Sequence, residues 1–191
     1  MGWENDYEKR GPRWGGASYL LPEIPTGSLV LETGCGNGKT LRSLGPNVLG
    51  IDISRSAVEQ AGPSALVGDI CFIPFKDAVF DVVFCWHVLG HLSISKRKTA
   101  VDEMLRVLKP GGLFHFKDFS RNDFRFGKGV EVEPSSFLRG DGIITHYFES
   151  EELASFFGPS VISTVSWDLR IKGVNNHREE ILLSHKKTNI E

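Results

Sequence analysis

A doubly wound α/β fold with a mostly parallel sheet is what this 191-residue sequence predicts. Three observations carry that expectation. Apolar runs of strand length alternate with stretches of helical periodicity through the first 119 residues. A glycine-rich stretch, "LVLETGCGNGKT" at 29–40, stands where the first strand should give way to a helix. Two strand-like runs close the chain with no helix between them, so they should pair antiparallel.

The elements follow in order. "SLVLETG" (28–34), "NVLGIDI" (47–53), "ALVGDI" (65–70), "FDVVFCW" (80–86) and "GLFHFKDF" (112–119) read as strands buried on both faces. Between them "KTLRSL", "SRSAVEQA" and "SKRKTAVDEMLRVLK" read as helices. In the last, Val101, Met104, Leu105 and Leu108 recur at helical spacing, and Pro110, Gly111 and Gly112 are expected to stop it. Residues 120–147 are polar and without periodicity, so they read as an insertion loop. A helix over 150–157 follows, with Ser150 as N-cap and Glu151 and Glu152 in its first turn. Strands at 161–170 and 179–187 are joined by the turn-rich "IKGVNNH". The expected organisation is an N-terminal arm or lid over 1–27 and one domain over 28–191.

Composition narrows the function classes. A net charge of −2 gives no basic footprint over the whole chain. Cys35, Cys71 and Cys85 are odd in number and lie in apolar runs, which reads as buried thiols in a reducing cytoplasm. His87 and His91 have HxxxH spacing, but no carboxylate lies between them, so no metal is expected. No apolar run approaches the roughly 20 residues a membrane span needs, and the first residues do not resemble a secretory signal.

The glycines carry the first chemistry. Gly34, Gly36 and Gly38 sit at every second position at the end of the first strand. Glycine there lets the backbone turn sharply and lets a ligand approach without a Cβ in the way. The spacing is GxGxG, unlike the GxGxxG of dinucleotide binders, and Thr33 stands where a phosphate-binding loop needs glycine. Asp52 ends the second strand, placed to hydrogen-bond ribose hydroxyls, and Asp69 ends the third. With Glu32, three acids at adjacent strand tips face one crevice. Singly, Asp52 or Asp69 is equally a helix N-cap; together with the glycines they point to a nucleoside with no large phosphate.

"VLETGCGNGKT", "GIDIS", "GDI", "FDVVFCWHVLGHL" and "LRVLKPGGLF" occur in the order found in class I S-adenosylmethionine-dependent methyltransferases, which this chain resembles over 28–119. The resemblance implies a seven-stranded sheet and S-adenosyl-L-methionine as cofactor, released as S-adenosyl-L-homocysteine. It implies that Glu32 and the loop Gly34, Cys35, Gly36 and Gly38 cradle the cofactor's amino-acid part. Asp52 would take the ribose, Ile53 would lie against the adenine, Asp69 would accept from its amino group and Ile70 would pack beside it. Trp86 and His87 would flank the methionyl part, and Arg13 or Trp14 would close over the cofactor carboxylate.

The segment after the fifth strand resembles the tRNA 3-methylcytidine methyltransferases. The resemblance lies in Phe116, Asp118 and Phe119, then Asp123, Arg125-Phe126, Phe137-Leu138-Arg139, Asp141-Gly142 and Tyr147-Phe148, and in the closing strand after Arg178. Its aromatics suit stacking on a flipped base and its arginines suit phosphates. His87 is a candidate general base, Asp118 a candidate partner for a cytosine amino group, and Phe119, Arg139 and Tyr147 candidate substrate contacts. Fewer than 30 residues before the first strand, with the low net charge, point to a helper protein supplying further tRNA contacts. Three alternatives stay open: a small-molecule acceptor, a protein acceptor, or a non-catalytic cofactor-binding subunit. A nicotinamide-dependent dehydrogenase is disfavoured by the glycine spacing and the lack of a Tyr-x-x-x-Lys pair.

Overall fold

A computed structural model describes residues 2–10, 21–140 and 142–188. Five strands alternate with helices or tight turns before the insert. They are β1 (Val30–Thr33), β2 (Val48–Asp52), β3 (Ala65–Val67), β4 (Phe80–Trp86) and β5 (Leu108–Phe119). A three-stranded insert follows, β6 (Val130–Glu133), β7 (Ser136–Leu138) and β8 (Ile144–His146). The chain closes with β9 (Val161–Ile171) and β10 (Val174–Lys186). The main sheet has seven strands in the order β3-β2-β1-β4-β5-β10-β9. Its first five are mutually parallel, and β10 runs antiparallel to both β5 and β9. This is the expected sheet. Strand order reverses beside β1, which opens a crevice at the carboxyl ends of β1 and its neighbours.

The helices are α1 (Gly2–Arg10), α2 (Arg55–Ala61), α3 (Ile94–Val107) and α4 (Ser150–Phe157). In α3, Arg97, Ala100, Val101, Met104 and Val107 form the buried face, at the spacing that puts side chains on one side of a helix. They meet Leu31, Val83, Phe114 and Phe116 of the sheet in one apolar core.

Several local expectations are corrected. "KTLRSL" forms only a 3-10 turn, Leu41–Ser43, because Gly45 and Pro46 leave no room for a full helix before β2. α3 stops at Val107, ahead of Pro110. That proline and the two glycines fall in β5 instead, where the register against β4 slips between Phe80 and Val82. Ser150 is the first helical residue of α4, and the capping position belongs to Glu149. The link "IKGVNNH" is mostly strand. Lys172 and Gly173, both with positive φ, make a two-residue turn that lets β9 and β10 pair almost throughout.

The largest correction is residues 120–147. They hold an antiparallel sheet, β6-β7-β8, in place of an irregular loop. Phe126, Phe137 and Tyr147 meet edge to face beside it. Buried Arg97 ties the insert to the domain, with Glu133 at 3.8 Å, Glu152 at 3.6 Å and the Leu92 carbonyl at 2.9 Å. At the other end of the chain, the expected arm contains α1, which packs on α2.

Candidate active site

The glycine loop leaves β1 with Gly34, Gly36 and Gly38 all at positive φ, which side-chain-bearing residues rarely adopt. Space is also denied: a Cβ on Gly34 would overlap the Val88 side chain, and one on Gly36 the Tyr7 hydroxyl. The loop is thus wedged between the turn after β4 and helix α1.

The three acids stand at or just past the adjacent tips of β1, β2 and β3. Asp52 Oδ2 accepts from Gly36 N at 2.8 Å, and its Oδ1 accepts from Ser54 N at 2.9 Å. Asp52 therefore holds the glycine loop against β2. Ser54, not Asp52, caps α2 by accepting from Ala57 N. Burial raises the Asp52 pKa, against the pull of those two N–H groups. Asp69 Oδ1 accepts from Cys71 N at 2.9 Å, a local turn. Glu32 is buried, and burial pushes its carboxyl up to about 8. Its Oε2 has no hydrogen-bond partner among the described residues. An orphaned, buried carboxylate oxygen is a ready acceptor for an ammonium group.

The other residues expected at the cofactor divide. Ile53 is exposed at the β2 tip, as a side chain offered to a flat ligand should be. Phe72, just past Asp69, is 76% exposed; sequence reasoning passed over it. Ile70 is in the core, and Cys35 turns its side chain down onto Gly50, so only its backbone borders the loop. Trp86 packs edge-on against Phe84, with Lys117 Nζ 4.0 Å above its ring. A cavity of about 220 Å³ between β4, β5 and β10 includes Trp86, His115 and Ser184, and of the expected cofactor residues holds Trp86 alone. Arg13 and Trp14 lie outside the described residues.

α1 crosses the strand tips. Glu4 accepts from Ser56 Oγ at 2.7 Å, Tyr7 is buried over Gly36, Trp3 meets the His91 ring at 4.7 Å, and Gly2 lies by Ile143 of the insert. His91 in turn bonds the Ile144 carbonyl through Nδ1 at 2.7 Å, so it acts as a packing residue.

On the β4–β5 side, His87 follows β4 with φ +56°, a strained value for a residue with a side chain. Its Nε2 lies 3.0 Å from Glu180 Oε1, and its Nδ1 lies 3.6 Å from Asp118 Oδ1. Phe119 stacks beside the ring at 4.6 Å. Burial disfavours the imidazolium, but the two carboxylates outweigh it and hold the His87 pKa above its ordinary value. The same pairing holds Asp118 and Glu180 below the carboxylate range despite their burial. Asp118 is fully buried, and its oxygens accept from Gly90 N at 3.0 Å and Phe119 N at 2.9 Å. It is therefore placed to position His87 and the backbone rather than to meet a ligand. Tyr147 is likewise fully buried, in the insert, while Arg139 is half-buried at the turn after β7. Glu180 is the residue sequence reasoning missed; β10 delivers it by pairing Glu180 with Phe119.

Among the described residues no group of three or more His, Cys, Asp or Glu side chains is arranged to hold a metal, and no helix is long and apolar enough to cross a membrane.

Comparison with known proteins agrees with this fold. A family described as "Methyltransferase domain" matches residues 31–116. A tRNA (carboxymethyluridine(34)-5-O)-methyltransferase of Arabidopsis thaliana is 38% identical over 54% of this chain and 27% of its own length. The human tRNA N(3)-cytidine methyltransferase METTL2B is 31% identical over 67% of this chain and 40% of its own length. The chain thus spans under half of either relative. Among solved structures, a SAM-dependent methyltransferase of Methanosarcina mazei superposes over 90% of this chain and 96% of its own, with TM-score 0.68 at 23% identity. A putative methyltransferase of Haloferax volcanii, solved in complex with the Trm112 methyltransferase activator, superposes over 88% of this chain and 85% of the matched chain, with TM-score 0.64 at 18% identity.

Proposed function

The chain belongs to the class I, Rossmann-like S-adenosylmethionine-dependent methyltransferases, and from that premise we propose that it methylates a nucleobase of tRNA at a neutral ring nitrogen such as cytosine N3. When bound, S-adenosyl-L-methionine supplies a methyl group on a positively charged sulfur that leaves as a neutral thioether. Glu32 takes its ammonium through the orphaned Oε2. Asp52 takes the ribose hydroxyls, Asp69 the adenine amino group, and Ile53 and Phe72 cover the adenine with exposed apolar surface. α1 is the lid over these groups.

The placement of charge supports this reading. A carboxylate against the sulfonium would favour the ground state over the transition state. Asp52 and Asp69 sit at the tips of β2 and β3, assigned to the nucleoside, Glu32 at the tip of β1 is assigned to the ammonium, and Asp118 is fully buried.

The observation that carries the acceptor reading is the His87 ring set between the Asp118 and Glu180 carboxylates. Its Nε2 faces Glu180 and its Nδ1 faces Asp118, so His87 is poorly placed to take a proton from an acceptor, and the site suits a nucleophile that attacks through a lone pair and has no proton to lose first. Methylation leaves such a nitrogen cationic, and the Glu180 carboxylate beside His87 would favour that charge. Positioning then supplies most of the acceleration. The names of the curated relatives support tRNA as the acceptor, and the activator bound to the Haloferax neighbour supports a helper protein.

The test is transfer of labelled methyl from the cofactor to unmodified tRNA, with a ribonuclease control and nucleoside analysis. Label in a methylated cytidine is expected. Label found only in small molecules, or never leaving the cofactor, rejects the tRNA reading.

A further inference from the structure

Beside His87, away from the cofactor crevice, cationic and aromatic side chains interleave. Asp123, fully buried, accepts from Arg125 Nε at 2.7 Å and from Arg178 Nε at 2.7 Å. One carboxylate thus orients two guanidinium groups, and the cluster keeps a net positive charge. Arg125 lies over the Phe119 ring at 3.7 Å, and Phe119 is the ring that stacks on His87. Arg178 lies within reach of three rings, Phe119 at 5.0 Å, Trp167 at 5.4 Å and Phe124 at 5.8 Å. Lys128 sits over the other ring of the series, Phe124, at 4.2 Å.

The register explains the geometry. Arg178 pairs with Trp167 across β9 and β10, so both project from one face of the ribbon, and Glu180 lies two residues along β10 on that same face. The row runs from the reacting centre outward to Trp167, which is 39% exposed. Arg178 uses only Nε for hydrogen bonding among the described residues, leaving both terminal nitrogens as donors.

Guanidinium groups that alternate with half-buried rings and end on the exposed Trp167 match the chemistry of an unpaired polynucleotide. Phosphates meet the charge and bases meet the rings. Resting on the tRNA reading above, we propose that Arg178, Arg125 and Trp167 form a subsite for an unpaired nucleotide flanking the methylated one, with its phosphate on the guanidinium groups and its base on Trp167. The subsite makes single-stranded loop RNA, rather than duplex, the substrate class.

The experiment is fluorescence anisotropy with the full chain, a labelled RNA stem-loop and a blunt duplex of the same composition, across a salt series. The wild type should prefer the stem-loop. Arg178→Gln and Trp167→Ala should each weaken stem-loop binding about 5–100-fold. Arg178→Gln should also lower the slope of log affinity against log salt by about 1, whereas Arg178→Lys should keep that slope. S-adenosyl-L-homocysteine binding should stay at the wild-type level in all three. Trp167→Ala removes an exposed side chain, so it decides the matter if Arg178→Gln fails to fold. Wild-type affinity for the stem-loop in Trp167→Ala, or equal wild-type affinity for stem-loop and duplex, overturns the subsite. These outcomes are separate from those of methyl transfer: a wild type that methylates tRNA while both variants bind normally leaves the tRNA reading standing and removes only the subsite.

Discussion

Glu180 on the last strand meets His87, in the turn after β4, at 3.0 Å between Oε1 and Nε2. The contact closes the β4–β5 side of the crevice with residues 93 positions apart in the sequence. Together with Asp118 it holds the His87 pKa above its ordinary value.

Removing that partner should lower the His87 pKa. The raised pKa means the folded state holds the proton more tightly than the unfolded chain. The stabilisation is therefore full below the ordinary histidine value and is lost as pH rises through the raised folded value. In Glu180→Gln this increment should shrink, and the His87 ring signals should titrate at lower pH by NMR. Identical titration curves for wild type and variant would show that the pair carries no charge coupling.

Glu32 should cost stability at alkaline pH when no ligand is bound. Burial lifts its carboxyl from 4.5 to about 8, so its contribution is present below pH 4.5 and lost as pH rises through about 8. Glu32→Gln removes the ionisable group. The variant should melt a few degrees above the wild type at pH 8.5, with the gap closing toward pH 5. It should also bind S-adenosyl-L-homocysteine more weakly, having lost the partner of the ammonium. Equal melting temperatures at both pH values would count against the buried, orphaned state of Glu32.

Gly34→Ala should be poorly tolerated. The φ of +65° and the Val88 side chain both oppose a Cβ there. A loss of about 1–3 kcal/mol in unfolding free energy is expected, with weaker cofactor binding. Chemical denaturation measures the first and calorimetry the second.

Arg97→Met should loosen the insert. It takes the cation from Glu133 and Glu152, which keep only Ile94 N and His146, and removes the donor to the Leu92 carbonyl. Both glutamates are partly exposed, so a loss of about 2 kcal/mol is expected rather than the full cost of an unpaired buried charge. Limited proteolysis should cut within β6–β8 sooner than in the wild type.

The main sheet was legible because its strands are continuous apolar runs separated by helices, and burial on both faces leaves that signal little disturbed. The acids of the first three strand tips were legible for a related reason: each stands next to its strand in sequence. The insert was not, because β6 reads "VEVE" on an exposed surface and β7 and β8 have three residues each. α1 was missed because "GWENDYEKR" has no apolar stripe; its order comes from Tyr7 and Glu4 packing on the loop and α2. Glu180 escaped notice, and Arg178 stood out in sequence without its partners, because only strand pairing brings β10 beside Phe119 and Trp167.

Calorimetric titration of S-adenosyl-L-homocysteine into the wild type and Asp52→Ala tests the central claim most directly. The account predicts a single saturable site in the wild type and a loss of about 1.5–3 kcal/mol of binding free energy in the variant, the worth of hydrogen bonds to a charged group. No binding to the wild type, or equal affinity in a folded Asp52→Ala, would contradict it.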